Sequence, residues 1–157
     1  MKEELKEITP GFGLGNIKFG MARDKVRMLL GAPDEVETFS YSDDDRNMTE
    51  SWDYYDFDIS LNFDEDDDWK LVMISINSDF YTLNGEHLIG KTTKQLTSHL
   101  NKLEAEYELE DCSSDESPDH ILVEVDALSV NFWLKAGIVD EIQWSPQFID
   151  DDTIRWP

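Results

Sequence analysis

Apolar and polar positions alternate along much of the chain, and at two places the period changes to that of a helix. Ala22, Val26, Leu29 and Leu30 are spaced i, i+4, i+7, i+8, which gathers them on one helical face. Gly31 follows where a helix ends in a left-handed turn, and Pro33 blocks continuation. Leu96, Leu100 and Leu103 form a second stripe, opened by Thr92 and Gln95 as a T-x-x-Q capping box. Ala22 stands where Thr92 stands in the second helix, so the first lacks a side-chain cap, at a cost of ~1 kcal/mol. Asn101, in the place of Gly31, is predicted to take the left-handed position that closes the second helix.

Strands are predicted after each helix. Phe57, Ile59, Leu61 and Phe63 alternate with Asp58, Ser60 and Asn62, the pattern of a half-buried strand. Before them Trp52 and Tyr54 alternate with Asp53 and Tyr55. The apolar phase flips near Asp56, which predicts a tight hairpin. A matching flip falls at Asp126, between Ile121, Val123, Val125 and Leu128, Val130, Phe132. Residues 71–76 and 138–144 read as one further strand each, and 34–41 and 105–111 as weaker ones.

These elements read as two diverged copies of one unit. Gly15 to Met21 is answered by Gly85 to Lys91, and Ile59-Ser60-Leu61-Asn62-Phe63 by Leu128-Ser129-Val130-Asn131-Phe132. The fold class expected is α+β: two helix-plus-antiparallel-strand repeats, about 8–78 and 79–148, forming one curved antiparallel sheet backed by helices. One domain results, with a short acidic C-terminal tail.

Charge then narrows the function. The 157 residues carry Asp+Glu 36 against Lys+Arg 13, a formal net charge of -23. Aromatics make up 11%, which sets the chain apart from aromatic-poor acidic disordered segments. So acidic a folded surface repels nucleic acid and acidic lipid and attracts basic proteins over distance. Cys112 is the one cysteine, and Glu110, Asp111 and Asp115 beside it should raise its thiol pKa. The N-terminal residues show no signal peptide, and no apolar run approaches the ~20 residues of a membrane span. A cytoplasmic location is expected.

The candidate chemistries are weak. Asp64, Asp66 and Asp68 have the 1-3-5 spacing of a calcium loop, but Trp69 and Ser75 occupy the positions that need Gly and Glu. A solvated hairpin tip is the better reading. His87, His99 and His120 lack ligand spacing. Gly11, Gly13 and Gly15 do not lead directly from strand to helix, as a phosphate loop would. No catalytic constellation, metal site or cofactor is predicted.

The outward sheet face is more informative. If Phe57, Ile59, Leu61 and Phe63 face the helices, then Asp58, Ser60 and Asn62 face out, joined by Asp53 and Tyr55. Glu124, Ser129, Asn131 and Trp133 do the same in the second half. Acids interleaved with exposed aromatics suit a protein interface, where aromatics supply contact area and charge supplies steering. The contacts expected are Asp53, Tyr55, Asp58, Asn62, Glu124 and Trp133. Asp64, Asp66, Asp67 and Asp68 are expected to act as a steering loop.

Ile8-Thr9-Pro10-Gly11, Gly15 to Val26 and Leu29 to Asp34 together resemble the opening signature of small bacterial α+β domains. That group includes outer-membrane assembly lipoproteins and the tandem-repeat β-lactamase inhibitory protein. Ala22 replaces the expected Ser cap and Lys25 the expected Glu, and no lipidation cysteine or disulfide pair is present. The resemblance implies a sheet whose open face grips another protein. Size, charge and compartment are also similar in character to bacterial toxin immunity proteins. The function expected is a non-enzymatic, cytoplasmic inhibitor that binds a basic protein such as a nuclease toxin, with neither nucleic acid nor membrane as partner. A regulatory adaptor and a divalent-metal binder are the alternatives.

Overall fold

The computed structural model describes residues 2–40, 48–116, 118–150 and 153–157. The Asp43-Asp44-Asp45 run, Asp151-Asp152 of the acidic tail and Ser117 of the 110–119 loop lie outside the described residues. In chain order the elements are β1 (Glu7–Thr9), β2 (Gly13–Leu14), β3 (Ile17–Lys18), α1 (Arg23–Leu30), β4 (Glu35–Ser40), β5 (Met48–Tyr54), β6 (Ile59–Asp64) and β7 (Lys70–Ile76). They continue with β8 (Thr82–Leu83), α2 (Thr93–Lys102), β9 (Glu108–Asp111), β10 (His120–Val125), β11 (Val130–Lys135), β12 (Ile138–Trp144), β13 (Gln147–Phe148) and β14 (Ile154–Arg155).

The expected α+β architecture, two helix-plus-antiparallel-strand repeats backed by helices, is not what forms. Among the described residues strand accounts for 45% and helix for 19%, a mostly β composition. Eight antiparallel strands make one sheet in the order β4-β5-β6-β7-β12-β11-β10-β9. Length explains the departure. Eight strands at about 4.8 Å spacing span roughly 34 Å, whereas helices of 8 and 10 residues reach only about 12–15 Å. The rest of the buried face is covered by a second sheet, β3-β2-β1-β8, which adds Ile8, Leu14, Ile17 and Leu83 to the core.

That small sheet depends on its glycines. A Cβ at Gly13 would lie 1.9 Å from the Ile17 carbonyl oxygen, and one at Gly15 would lie 1.8 Å from that of Glu4. The G-x-G-x-G run is therefore a close-packed strand turn. Trp144 ties the two sheets together, its buried indole N–H donating to the Gly13 carbonyl at 3.1 Å. The Tyr54 hydroxyl donates to the Gly31 carbonyl at 2.9 Å and fixes the end of α1 to β5.

The local signals mostly hold. Ala22 is an N-cap without a side-chain bond, and Gly31 has φ 84. Thr92 and Gln95 form the full capping box. Asn101, however, remains inside α2, and the left-handed residue is Glu104, with φ 56. The helix runs past Asn101 because Leu100 is fully buried and the Ala105 N–H then closes on its carbonyl at 3.0 Å. Trp156 packs partly buried against the core, with the Lys70 ammonium 5.2 Å from its ring centre. Among the described residues no helix is long and apolar enough to cross a membrane.

Candidate functional site

The face of the large sheet away from the small one carries a continuous polar row. Cross-strand pairing links Glu35 (β4) to Asp53 (β5), then Ser60 (β6), Ser75 (β7), Gln143 (β12), Asn131 (β11), Glu124 (β10) and Glu108 (β9). Uncharged hydrogen-bonding groups occupy the middle four strands, and two carboxylates stand at each edge. On the opposite face the neighbouring row is Trp52, Leu61, Ile74, Trp144, Val130 and Val125, all buried. Strand alternation alone produces this division.

Two register shifts shape the open face. One lies between Asn62 and Phe63 and the other between Trp133 and Leu134. Each puts two consecutive non-core residues between core ones: Val72 and Met73 on β7, Asp140 and Glu141 on β12. Such bulges re-aim side chains. Here the second brings Glu141 opposite Trp133, whose indole N–H donates to Gln143 at 3.3 Å and whose ring stacks on His120 with centroids 4.9 Å apart.

β12 pairs with β7 only through Ile142, Gln143 and Trp144. Val139 instead exchanges backbone bonds with residues 90–91, at 2.9 Å each. A pocket of about 200 Å³ opens at the ends of β5, β6 and β7 beside Glu141 of β12, lined by Asp53, Tyr55, Asp58, Ser60, Ser75, Asn77 and Glu141 together with Tyr54, Ile59 and Ile76. No lysine or arginine lines it. Asp53 accepts from Ser60, and the Tyr55 hydroxyl donates to Glu35. That bond pushes the Tyr55 phenol up to about 12. Burial, and then Asp140, hold the Glu141 carboxyl above its usual range, with His120 opposing. Among the described residues its carboxylate has no hydrogen-bond or ion-pair partner.

The predicted contacts therefore divide. Asp53, Tyr55 and Asp58 converge on the pocket, but Asp58 belongs to the β5–β6 turn, with φ 54, rather than to the strand face. Ser129 likewise leaves the face for a turn, with φ 56. Asn62 lies one row over, its amide 3.8 Å from the Met73 sulfur. Trp133 and Glu124 are on the open face of the other half. Burial, Asp126 and Glu110 raise the Glu124 carboxyl. The steering loop does not join them. Asp64, Asp66, Asp67 and Asp68 are at the opposite end of β6, roughly 17–20 Å from the pocket.

Local structure organises that far end. Asp64 accepts from the Thr49 hydroxyl at 2.7 Å, and Asp68 and Trp69 hold φ 57 and 59. Arg23 pairs with Glu50 at 3.0 Å and lies 4.5 Å from the Trp69 ring centre. Burial, with Asp64 and Asp66, raises Asp67. Cys112 is raised as expected, by burial first and then by Glu110, Asp111 and Glu124; Asp115 is not among the causes. Among the described residues no three His, Cys, Asp or Glu side chains are grouped to hold a metal ion.

Sequence reasoning missed Glu141, Ser75, Asn77 and Gln143. The adjacent polar pair Asp140-Glu141, inside an otherwise alternating strand, was the available signal for the bulge that exposes the site. Comparison with protein families, with curated proteins and with solved structures returns no match. The resemblance of the opening residues thus rests on those residues alone.

Proposed function

We propose that the chain is a non-enzymatic protein-binding inhibitor that docks the open face of its eight-stranded sheet onto a cationic protein. The observation that carries the reading is the polar row crossing all eight strands, with uncharged acceptors and donors at its centre and carboxylates at both edges. The face measures roughly 34 Å by roughly 18 Å, on the order of 600 Å² before side-chain relief. That approaches the ~800 Å² each partner buries in a standard interface. A net charge of -23 would steer a basic partner toward it and raise the association rate.

The partner class that fits best is a basic nuclease, because a groove that binds phosphates must be cationic and an acidic face can occupy it. An immunity role against such a toxin, in the cytoplasm, is the corresponding biological reading. The lone Cys112 and the absence of any apolar run near membrane-spanning length support that compartment.

A panel of purified basic nucleases at low salt tests the proposal, with nuclease inhibition and association rate as readouts. Expected is inhibition by at least one, with an association rate that falls steeply as salt rises. Failure to bind or inhibit any of them at low salt would overturn the reading.

A further inference from the structure

The pocket formed by the β5–β6 turn, the end of β7 and Glu141 of β12 differs from the other acidic ground on this protein. At the β9–β10 edge, Glu108, Glu110 and Glu124 crowd together in the open, and Glu110 and Glu124 share a hydrogen bond. In the pocket, Asp53, Asp58 and Glu141 surround one concavity without a lining cation. Glu141 is half-buried there without a hydrogen-bond or ion-pair partner among the described residues, and His120, whose charge opposes the rise of its carboxyl, does not line the pocket. Partial burial of an unpaired carboxylate is unfavourable, and nothing lining the pocket relieves it.

We propose that this pocket receives one arginine side chain presented by the cationic partner, its guanidinium held by Asp53, Asp58, Glu141 and the Asn77 amide oxygen. The inference rests on the docking reading above and identifies its anchor. Volume supports a single side chain. About 200 Å³ exceeds the ~150 Å³ that accommodates a benzene ring and falls short of the ~300–1,000 Å³ of small-molecule sites. Chemistry selects arginine over lysine. A planar guanidinium offers five donors to acceptors that approach from several directions, while an ammonium is a compact and more strongly hydrated charge. The Tyr55 ring, 60% exposed at the rim, offers a face on which that plane can stack.

Titration of the ¹⁵N-labelled protein with N-acetyl-arginine amide and with N-acetyl-lysine amide at low salt tests the anchor. Saturable shifts are expected at the Tyr55, Asp58, Ser75 and Asn77 amides, with arginine the tighter ligand. Glu141→Gln should weaken arginine about tenfold, as loss of one charge-assisted contact does, in a protein whose spectrum shows an intact fold. Equal shifts at Glu108, Glu110 and Glu124 would show that arginine follows acid density, and would overturn the anchor. So would equal affinity for lysine, or indifference to Glu141→Gln. Docking of a basic nuclease that survives Asp58→Asn with Glu141→Gln unchanged overturns the anchor and leaves the docking reading standing. If no basic nuclease docks on the unaltered protein, the docking reading fails and the anchor fails with it.

Discussion

Trp133 on β11 and Glu141 on β12 face each other across the sheet at the point where the strand register slips by one residue. The slip lets Asp140 and Glu141 follow one another without either entering the core, where Val139 and Ile142 are 1% exposed. It also sets a half-buried carboxylate beside the gap between β12 and the end of β7. Binding potential and a local cost to folding thus arise from the same irregularity.

The first prediction follows from that cost. Glu141 has a folded-state pKa above its unfolded value, so its contribution to stability is fully present below the unfolded pKa and is lost as pH rises through the folded one. At neutral pH the ionised group therefore opposes folding. Glu141→Gln should stabilise the fold at pH 7 by no more than about 1 kcal/mol once solvent screening is allowed for, and so raise the melting temperature. The difference should vanish near pH 3, where both side chains are neutral. Thermal melts of the two proteins across that range check it.

Helix capping supplies an asymmetric pair of substitutions. Thr92→Ala removes the side-chain half of the capping box, the 3.2 Å bond that the Thr92 hydroxyl accepts from the Gln95 N–H, while the backbone N–H at 92 keeps its bond to Gln95, and should cost about 1 kcal/mol. Ala22→Ser, at an extended N-cap that makes no side-chain bond, should gain about 0.5–1 kcal/mol. Urea denaturation of each variant reads both signs.

The tie between the two sheets should be expensive to cut. Trp144→Phe deletes the buried bond to the Gly13 carbonyl and leaves unfilled volume, for a loss of about 1–3 kcal/mol. Gly13→Ala should abolish folding, since its Cβ would meet the Ile17 carbonyl oxygen at 1.9 Å. Denaturation midpoints, and recovery of soluble protein for the second variant, are the measurements.

The Tyr55 phenol should titrate near 12 because its hydroxyl donates to the Glu35 carboxylate and an approaching negative charge would face Glu35, Asp53 and Asp34. Glu35→Gln should bring it back toward 10. Tyrosine ring signals followed by NMR between pH 9 and pH 12 test this, and no movement on substitution would remove Glu35 as the cause.

The large excess of negative over positive charge predicts the response to salt. Self-repulsion at -23 opposes the compact state. Raising sodium chloride from about 10 mM, with a screening length of about 30 Å, to about 1 M, with about 3 Å, should raise the melting temperature. Calorimetry at a series of salt concentrations would show it.

Much of this fold is written in local sequence. Alternation from Ile59 to Phe63 and from Val130 to Leu134 marks the inward faces, and Thr92 with Gln95 marks a helix start. The layer that covers the sheet is not legible, because periodicity reports which face is apolar but not what covers it. Two-residue strands such as Gly13–Leu14 and Ile17–Lys18 are too short to show a period, so the second sheet was invisible. The candidate site was half legible for a related reason. Asp53, Tyr55 and Asp58 lie within six positions of one another, but Ser75, Asn77 and Glu141 reach the pocket only through strand order, which alternation does not encode. The acidic hairpin attracted notice by composition and proves to be at the far end of the sheet.

The most direct test of open-face docking is the set of side-chain amide signals in a ¹⁵N spectrum recorded with and without a basic nuclease bound at low salt. Docking on the open face predicts that Asn62, Asn131 and Gln143 shift or broaden while Asn16, Asn84 and Gln147, outside the large sheet, stay in place. Movement confined to Asn16, Asn84 and Gln147 would contradict the account.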